Sequence, residues 1–297
     1  MTDYPFVTAD VFTDTAFCGN QLAVITDARG LTSEQMQNIS REFHFAETTF
    51  VLPTDASHPH PRIRIFTPRM ELPFAGHPTI GTAAVLAYLQ LAPPADPTGT
   101  VIYEEKIGPI SLKVQPPQGR TVFAEFALMA PLESMPSPDP AVLAAAIGLS
   151  ESVLTAAWCA GIGLPFCFVH LKNEAAVDAA IIDQRLWKAT LASCSSQVFL
   201  FSGDFENGGT LYARMLAPDL GIEEDAATGS ACVGLAASLA ERSAPRDAGV
   251  SLTIRQGIAM GRPSLLQAHA QRLPDGSHRV RLGGHSVIVA QGSIAAF

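Results

Sequence analysis

Two stretches decide the fold: His77-Pro-Thr-Ile-Gly-Thr-Ala-Ala-Val-Leu-Ala-Tyr-Leu-Gln-Leu91 and Ala227-Thr-Gly-Ser-Ala-Cys-Val-Gly-Leu-Ala-Ala-Ser-Leu-Ala240. Neither contains Asp, Glu, Lys or Arg, and both are apolar on nearly every helical face. A helix of that kind is buried all round instead of lying on a surface. The two also match each other. Gly76-His77, Gly81 and Ala83-Ala84 recur at a constant offset as Gly229-Ser230, Gly234 and Ala236-Ala237. Upstream, Arg64-Ile65-Phe66-Thr67-Pro68 pairs with Arg214-Met215-Leu216-Ala217-Pro218 at nearly the same offset. Two matches in the same order point to a duplicated α+β unit in which strands wrap a central apolar helix.

Around these helices the chain reads mostly as strands. RIRIF (62–66), SLKV (111–114), VFAEFAL (122–128), SLTIR (251–255) and HRVRL (278–282) alternate polar and apolar residues, the period of a half-buried strand. FVTADVF (6–12), FCFVHL (166–171), VFLF (198–201), LYARML (211–216) and SVIVA (286–290) join them. Thr32 and Gln35 stand at capping-box spacing ahead of Met36, Ile39 and Phe43, which share one helix face. Asp139-Pro140, a cap followed by a first-turn proline, opens a second helix that continues through AVLAAAIG. The Pro/Gly-rich QPPQGR (115–120) sets the expected boundary, with domains over 1–118 and 119–285.

Composition narrows the function. The 297 residues are 47% hydrophobic and 16% charged, which excludes a disordered chain. A net charge of −9 repels phosphate backbones and anionic lipids, so neither nucleic acid nor membrane is expected as a partner. The N-terminus has no basic-then-apolar leader, and the least polar run, Thr79 to Ala92, is too short to span a bilayer. Cys18, Cys159, Cys167, Cys194 and Cys232 form no CxxC pair and no Cys/His metal spacing. Reduced thiols in a cytoplasmic protein are the expectation.

Each apolar helix opens at a short polar sequence, Ala75-Gly76-His77-Pro78 or Asp225-Ala226-Ala227-Thr228-Gly229-Ser230. Backbone N–H groups and the macrodipole at a helix N-terminus favour an anion such as a carboxylate. In a duplicated protein the two ends face each other across a pseudo-twofold cleft, with a small acid held between them. Close packing at Gly76 and Gly229, with Ser230 and Asp225 as caps, accounts for the same residues without a ligand. Ser230 lacks a GxSxG elbow, which argues against an acyl-enzyme, and the glycines form no nucleotide loop. His58 and His60 flank a proline in a solvated loop. Glu47 lies among Phe43, Phe45, Ala46 and Phe50 at a strand entrance. Apolar surroundings raise a carboxyl toward neutrality, which suits a general acid/base, whereas a strand edge in water leaves it ordinary.

Together, Phe17-Cys18-Gly19-Asn20-Gln21-Leu22-Ala23-Val24, Ala46-Glu47-Thr48, Leu72-Pro73-Phe74-Ala75-Gly76-His77-Pro78 and Glu224-Asp225-Ala226-Ala227-Thr228-Gly229-Ser230-Ala231 resemble the PhzF family of phenazine-biosynthesis-like isomerases. The resemblance runs from about residue 5 to the C-terminus. It implies the diaminopimelate-epimerase-like fold, α+β, with two similar barrel-and-helix domains, an active site in the cleft between them and a last strand, 286–297, that completes the first domain. It implies cofactor-free, metal-free isomerisation of trans-2,3-dihydro-3-hydroxyanthranilate or another small carboxylate by a homodimer.

Residue by residue, the resemblance makes Glu47 the general acid/base and His77, Asp225 and Ser230 its catalytic companions. Asn20, Gly76, Thr228 and Gly229 are then substrate-binding. Gln21 and Ala226 replace prolines common in the family, which bears on the substrate more than on the fold. Related epimerases and racemases place a cysteine in each domain where this chain has Ala75 and Thr228, so two-thiol racemisation is not expected. Cys18 and Cys232 read as packing residues. Epimerisation or tautomerisation of another metabolite draws on the same residues. A non-catalytic small-acid binding protein would keep the cleft and has no need of the intact set.

Overall fold

The computed structural model describes residues 2–92, 98–191, 194–195, 197–205, 209–218, 222–242 and 249–296. The chain forms two compact units, Met1–Leu128 with Gly283–Phe297, and Met129–Leu282. Among the described residues the helices are α1 (Ser33–Phe43), α2 (Gly76–Tyr88), α3 (Pro140–Ala146), α4 (Glu174–Asp178), α5 (Gln184–Leu191) and α6 (Gly229–Arg242).

In the first unit eight strands close into a ring. Thr2–Val11 pairs antiparallel with Asn20–Ile25 and with the C-terminal strand His278–Ala296 over Ser286–Ala296. Asn20–Ile25 runs parallel to Glu47–Leu52, with α1 between them in sequence. Glu47–Leu52 is antiparallel to Arg62–Phe66, which meets Thr100–Glu105 in parallel. Hairpins lead on through Gly108–Val114 to Thr121–Ala130, and Thr121–Ala130 pairs with the C-terminal strand. Closure leaves no edge in the ring, and its interior is filled by α2.

That helix buries every residue from Gly76 to Leu86, as an all-round apolar sequence demands. The capping box on α1 forms as spaced, Gln35 N donating to Thr32 Oγ1 at 3.2 Å and Thr32 N to Gln35 Oε1 at 3.0 Å.

The second unit repeats the theme around α6, which is buried from Ala231 to Ala240. Glu133–Met135, Leu154–Ile162 and Leu164–Leu171 pair antiparallel in turn. Val198–Ser202 then adds in parallel and leads antiparallel to Thr210–Ala217. Thr210–Ala217 runs parallel to Val250–Gln256, which pairs antiparallel with Ser264–Arg272. Leu154–Ile162, Ser264–Arg272, α4 and α5 are not among the elements read from the sequence. LTAAWCAGI is too uniformly small and apolar to show a period, and α4 is only five residues long.

The matched arginines of the repeat have matched jobs. Arg64 holds Glu71 through Nε at 2.7 Å and a second nitrogen at 2.8 Å. Arg214 holds Glu224 in the same two-bond way at 3.1 and 2.7 Å. Both glutamates sit on the short strand just ahead of a central helix. Each fork therefore pins the segment that delivers a helix N-terminus, a geometry that lysine cannot reproduce.

The two helix glycines differ in how closely the sheet approaches. A Cβ on Gly81 would stand 2.5 Å from Leu22 Cδ2 and 2.6 Å from Val11 Cγ2, whereas on Gly234 the nearest atom is Phe168 Cζ at 3.3 Å. Overpacking at Gly81 outweighs the gain in helix propensity, and Gly81→Ala is expected to cost about 1–2 kcal/mol net. Gly234→Ala, measured by the same urea titration, should cost less than Gly81→Ala.

Candidate functional site

In the first unit the motif residues converge on the start of α2. Glu47 is the first residue of its strand and pairs across to Leu22. Its Oε2 lies 3.3 Å from His77 Nε2, and the two side chains are only 14% and 6% exposed. Glu47 is therefore enclosed, not at a strand edge in water. His77, in the first turn of α2, hydrogen-bonds the Gln21 backbone, yet burial outweighs that bond and pushes the imidazole down to about 3. It is neutral throughout the physiological range. Asn20 is buried beside Gln21 at the start of its strand. The N-cap of α2 is Ala75, whose side chain gives no hydrogen bond to the positive end of the helix dipole.

The turn that leads to Asn20 explains its motif. Phe17 adopts a left-handed φ of 69°, held by its N–H donating to Asp10 Oδ2 at 2.6 Å. Gly19 follows at φ 68°, where a Cβ would stand 2.4 Å from the Val11 carbonyl oxygen. Only glycine fits that approach. Asp10, buried and only 4% exposed, is not legible in the sequence. Its one signal is a charge between Ala9 and Val11 on a strand that is otherwise buried there.

In the second unit the DxATGS segment is a clamped turn. Thr228 Oγ1 donates to Asp225 Oδ2 at 2.6 Å. The fully buried Gln256 braces it: its Oε1 accepts from Thr228 N at 3.1 Å, and its Nε2 donates to the Asp225 carbonyl at 2.8 Å and to Thr228 Oγ1 at 3.0 Å. Gln256 was also missed, because nothing in a strand-end glutamine marks a partner 31 residues away. Gly229 starts α6, buried, and Ser230 follows half-buried. Each unit thus gathers its own motif residues: Asn20, Glu47, Gly76 and His77 in the first, Asp225, Thr228, Gly229 and Ser230 in the second.

Cys232 is fully buried and its thiol is pushed far up by burial, with the Asp225 charge adding to the effect. Cys18 is half-buried. His58 bonds only local groups, with Nδ1 3.1 Å from Asp55 Oδ1 in an exposed turn.

The expectation of five reduced thiols is corrected by a Cys159–Cys194 disulfide, with Cα atoms 6.1 Å apart across 35 residues. The segment after α5 brings Cys194 back to the Leu154–Ile162 strand, a proximity that no local spacing records. Cys167 joins them, the three sulfurs lying within 4.8 Å of one another. Among the described residues this is the group that could hold a metal, and the disulfide engages two of its three sulfurs. Among the described residues no helix is long and apolar enough to cross a membrane.

A family model described as phenazine biosynthesis-like protein matches residues 9–292. The chain is 37% identical to an uncharacterized isomerase of Mesorhizobium japonicum over 96% of each chain. It is 35% identical to the trans-2,3-dihydro-3-hydroxyanthranilate isomerase of Pseudomonas chlororaphis over 97% of this chain and 98% of that one. Among solved structures, a Bacillus anthracis phenazine biosynthesis protein of the PhzF family superposes with a TM-score of 0.85 at 22% identity, covering 99% of this chain and 100% of that one. A probable proline racemase from Agrobacterium radiobacter shares the fold at a TM-score of 0.66 and 12% identity, covering 98% of this chain and 93% of that one.

Proposed function

The chain belongs to the PhzF family of phenazine biosynthesis-like proteins, and we propose that it is an isomerase that moves a proton between two carbons of a small carboxylate of the trans-2,3-dihydro-3-hydroxyanthranilate type. Glu47 is the shuttling base. The observation that carries this reading is the enclosed pair of Glu47 and a neutral His77 at 3.3 Å.

Deprotonating carbon requires a positioned base in a site from which water is excluded. The Glu47 carboxylate takes a proton from one carbon, and the electron pair left behind delocalises into the substrate. The resulting Glu47 acid returns the proton to a second carbon, so atoms and charge balance without a co-reactant. Neutral His77 has one N–H, which the Gln21 backbone engages. Its Nε2 lone pair then faces Glu47 and receives the carboxyl proton as a hydrogen bond between the two transfers. A charged imidazolium there would hold Glu47 ionised and oppose the uptake step.

The N–H groups at the start of α2 and α6, beside Gly76 and Gly229, suit a substrate carboxylate. Asp225, Thr228 and Ser230 are assigned to the same substrate, with Asn20, on the strength of the family resemblance. By the family resemblance the enzyme is a cytoplasmic homodimer that works without metal or cofactor.

A panel followed by proton NMR tests the reaction class: trans-2,3-dihydro-3-hydroxyanthranilate, proline, trans-4-hydroxyproline and diaminopimelate. Conversion of the first alone is the expected result. Inversion of an amino acid, with the dihydroanthranilate untouched, would replace isomerisation by epimerisation.

A further inference from the structure

Below the start of α2 lies a second carboxyl that the reaction does not use. Glu105 closes the Thr100–Glu105 strand and is buried, 7% exposed. One of its oxygens lies 2.6 Å from Thr79 Oγ1, and the other has no hydrogen-bond partner among the described residues. Thr79 Oγ1 also lies 2.7 Å from the carbonyl oxygen of Ala75.

A hydroxyl has one proton to give. If it points to Glu105, two bare oxygens face each other at Ala75, and a carboxylate with an orphaned oxygen sits in apolar surroundings, which is strongly unfavourable. If it points to Ala75, Oγ1 is left to accept, and only a protonated carboxyl can donate to it. We propose that Glu105 is held in its acid form and acts as a positioning residue, donating to Thr79, which in turn donates to Ala75 and fixes the segment that presents Gly76 and His77.

The surroundings favour the acid form. Burial raises the carboxyl to about 8, against a smaller lowering by the Thr79 hydroxyl. Glu104 on the same strand and Lys106 in the turn that follows flank Glu105 on the more exposed side, while Tyr103 shares its buried face. The neighbouring strands bring Gly108 opposite Glu105 and Arg62 opposite Glu104. On α2, His77 is two residues from Thr79 and hence on another face. No cation neutralises Glu105 from these elements, so ionisation would turn the Thr79 hydroxyl toward the carboxylate and away from the Ala75 carbonyl, slackening that anchor.

The consequence for turnover rests on the isomerase reading, but the protonation state does not. Glutamate carboxyl carbons of 13C-labelled protein, followed by NMR from pH 5 to 10, should include one resonance that titrates near pH 8 and is absent from Glu105→Gln. The His77 ring nitrogens should shift in step with it in wild type and in Thr79→Ser, and not in Thr79→Val. On the isomerase reading, wild-type kcat falls about tenfold from pH 7 to pH 9 as one group of that pKa ionises, while Glu105→Gln stays level. Should Glu105→Gln not fold, the Thr79 pair decides. Glutamates that all ionise below pH 6, or a His77 signal unmoved in wild type through the titration, would overturn the proposal whatever the enzyme converts. Absence of turnover beside an intact titration would count only against the isomerase.

Discussion

Glu47→Gln is expected to lower isomerase turnover by about 10²–10⁴-fold while leaving the fold intact. The amide fills the same volume, and its N–H can donate to His77 Nε2 across the 3.3 Å gap that the carboxyl now spans. It cannot take a proton from carbon. The loss should therefore fall on kcat with little change in KM, because a base acts in the transition state and not in ground-state binding. Kinetics and a urea titration on the same preparation check both halves. Equal loss of stability and rate would make Glu47 structural.

The second large effect is in stability against pH, where two buried groups pull in opposite directions. His77 titrates at about 3 when folded, against 6.5 for the free side chain. Between those values the unfolded chain takes up a proton that the folded one refuses, so stability is lost as pH falls. Glu105 titrates at about 8 when folded, against 4.5. Between those values the folded chain keeps a proton that the unfolded one releases, so stability is lost as pH rises. At about 1.4 kcal/mol per pKa unit, each contributes about 3 kcal/mol between pH 4 and pH 7, with opposite sign.

The two nearly cancel in the wild type, and single substitutions uncover them. Glu105→Gln removes the term that offsets His77, so relative to wild type it should lose stability by about 3 kcal/mol on going from pH 7 to pH 4. His77→Asn should gain by a similar amount over the same interval. Urea unfolding at the two pH values measures both, and parallel curves for all three proteins would contradict the burial assigned to these groups.

The parts of the fold and site that are legible in sequence are those written contiguously. The apolar turns of α2 and α6, the caps at Thr32 and Asp139 and the segments around Glu47, His77 and Asp225 each sit in a short run whose chemistry is self-contained. What escaped is the supporting layer, because its partners come from distant strands. Arg64 and Arg214 show in the repeat, but their partners Glu71 and Glu224 are ordinary surface-type residues until the sheet folds. Gln256 reaches Thr228 from the far end of a strand, Asp10 holds Phe17 across a turn, and Cys194 meets Cys159 only through tertiary packing. The charge on Glu105 hid its role, since TVIYEE alternates as a half-buried strand whether its final acid is ionised or not.

The proposed isomerisation depends on one enclosed carboxyl, Glu47, carrying a proton from carbon to carbon. Proton NMR of trans-2,3-dihydro-3-hydroxyanthranilate in D2O with wild type and Glu47→Gln tests it most directly. The expected result is rapid conversion by the wild type with deuterium entering one ring carbon, and neither conversion nor exchange with the variant. Conversion at an undiminished rate by Glu47→Gln, or no exchange at any substrate carbon with folded wild type, would contradict it.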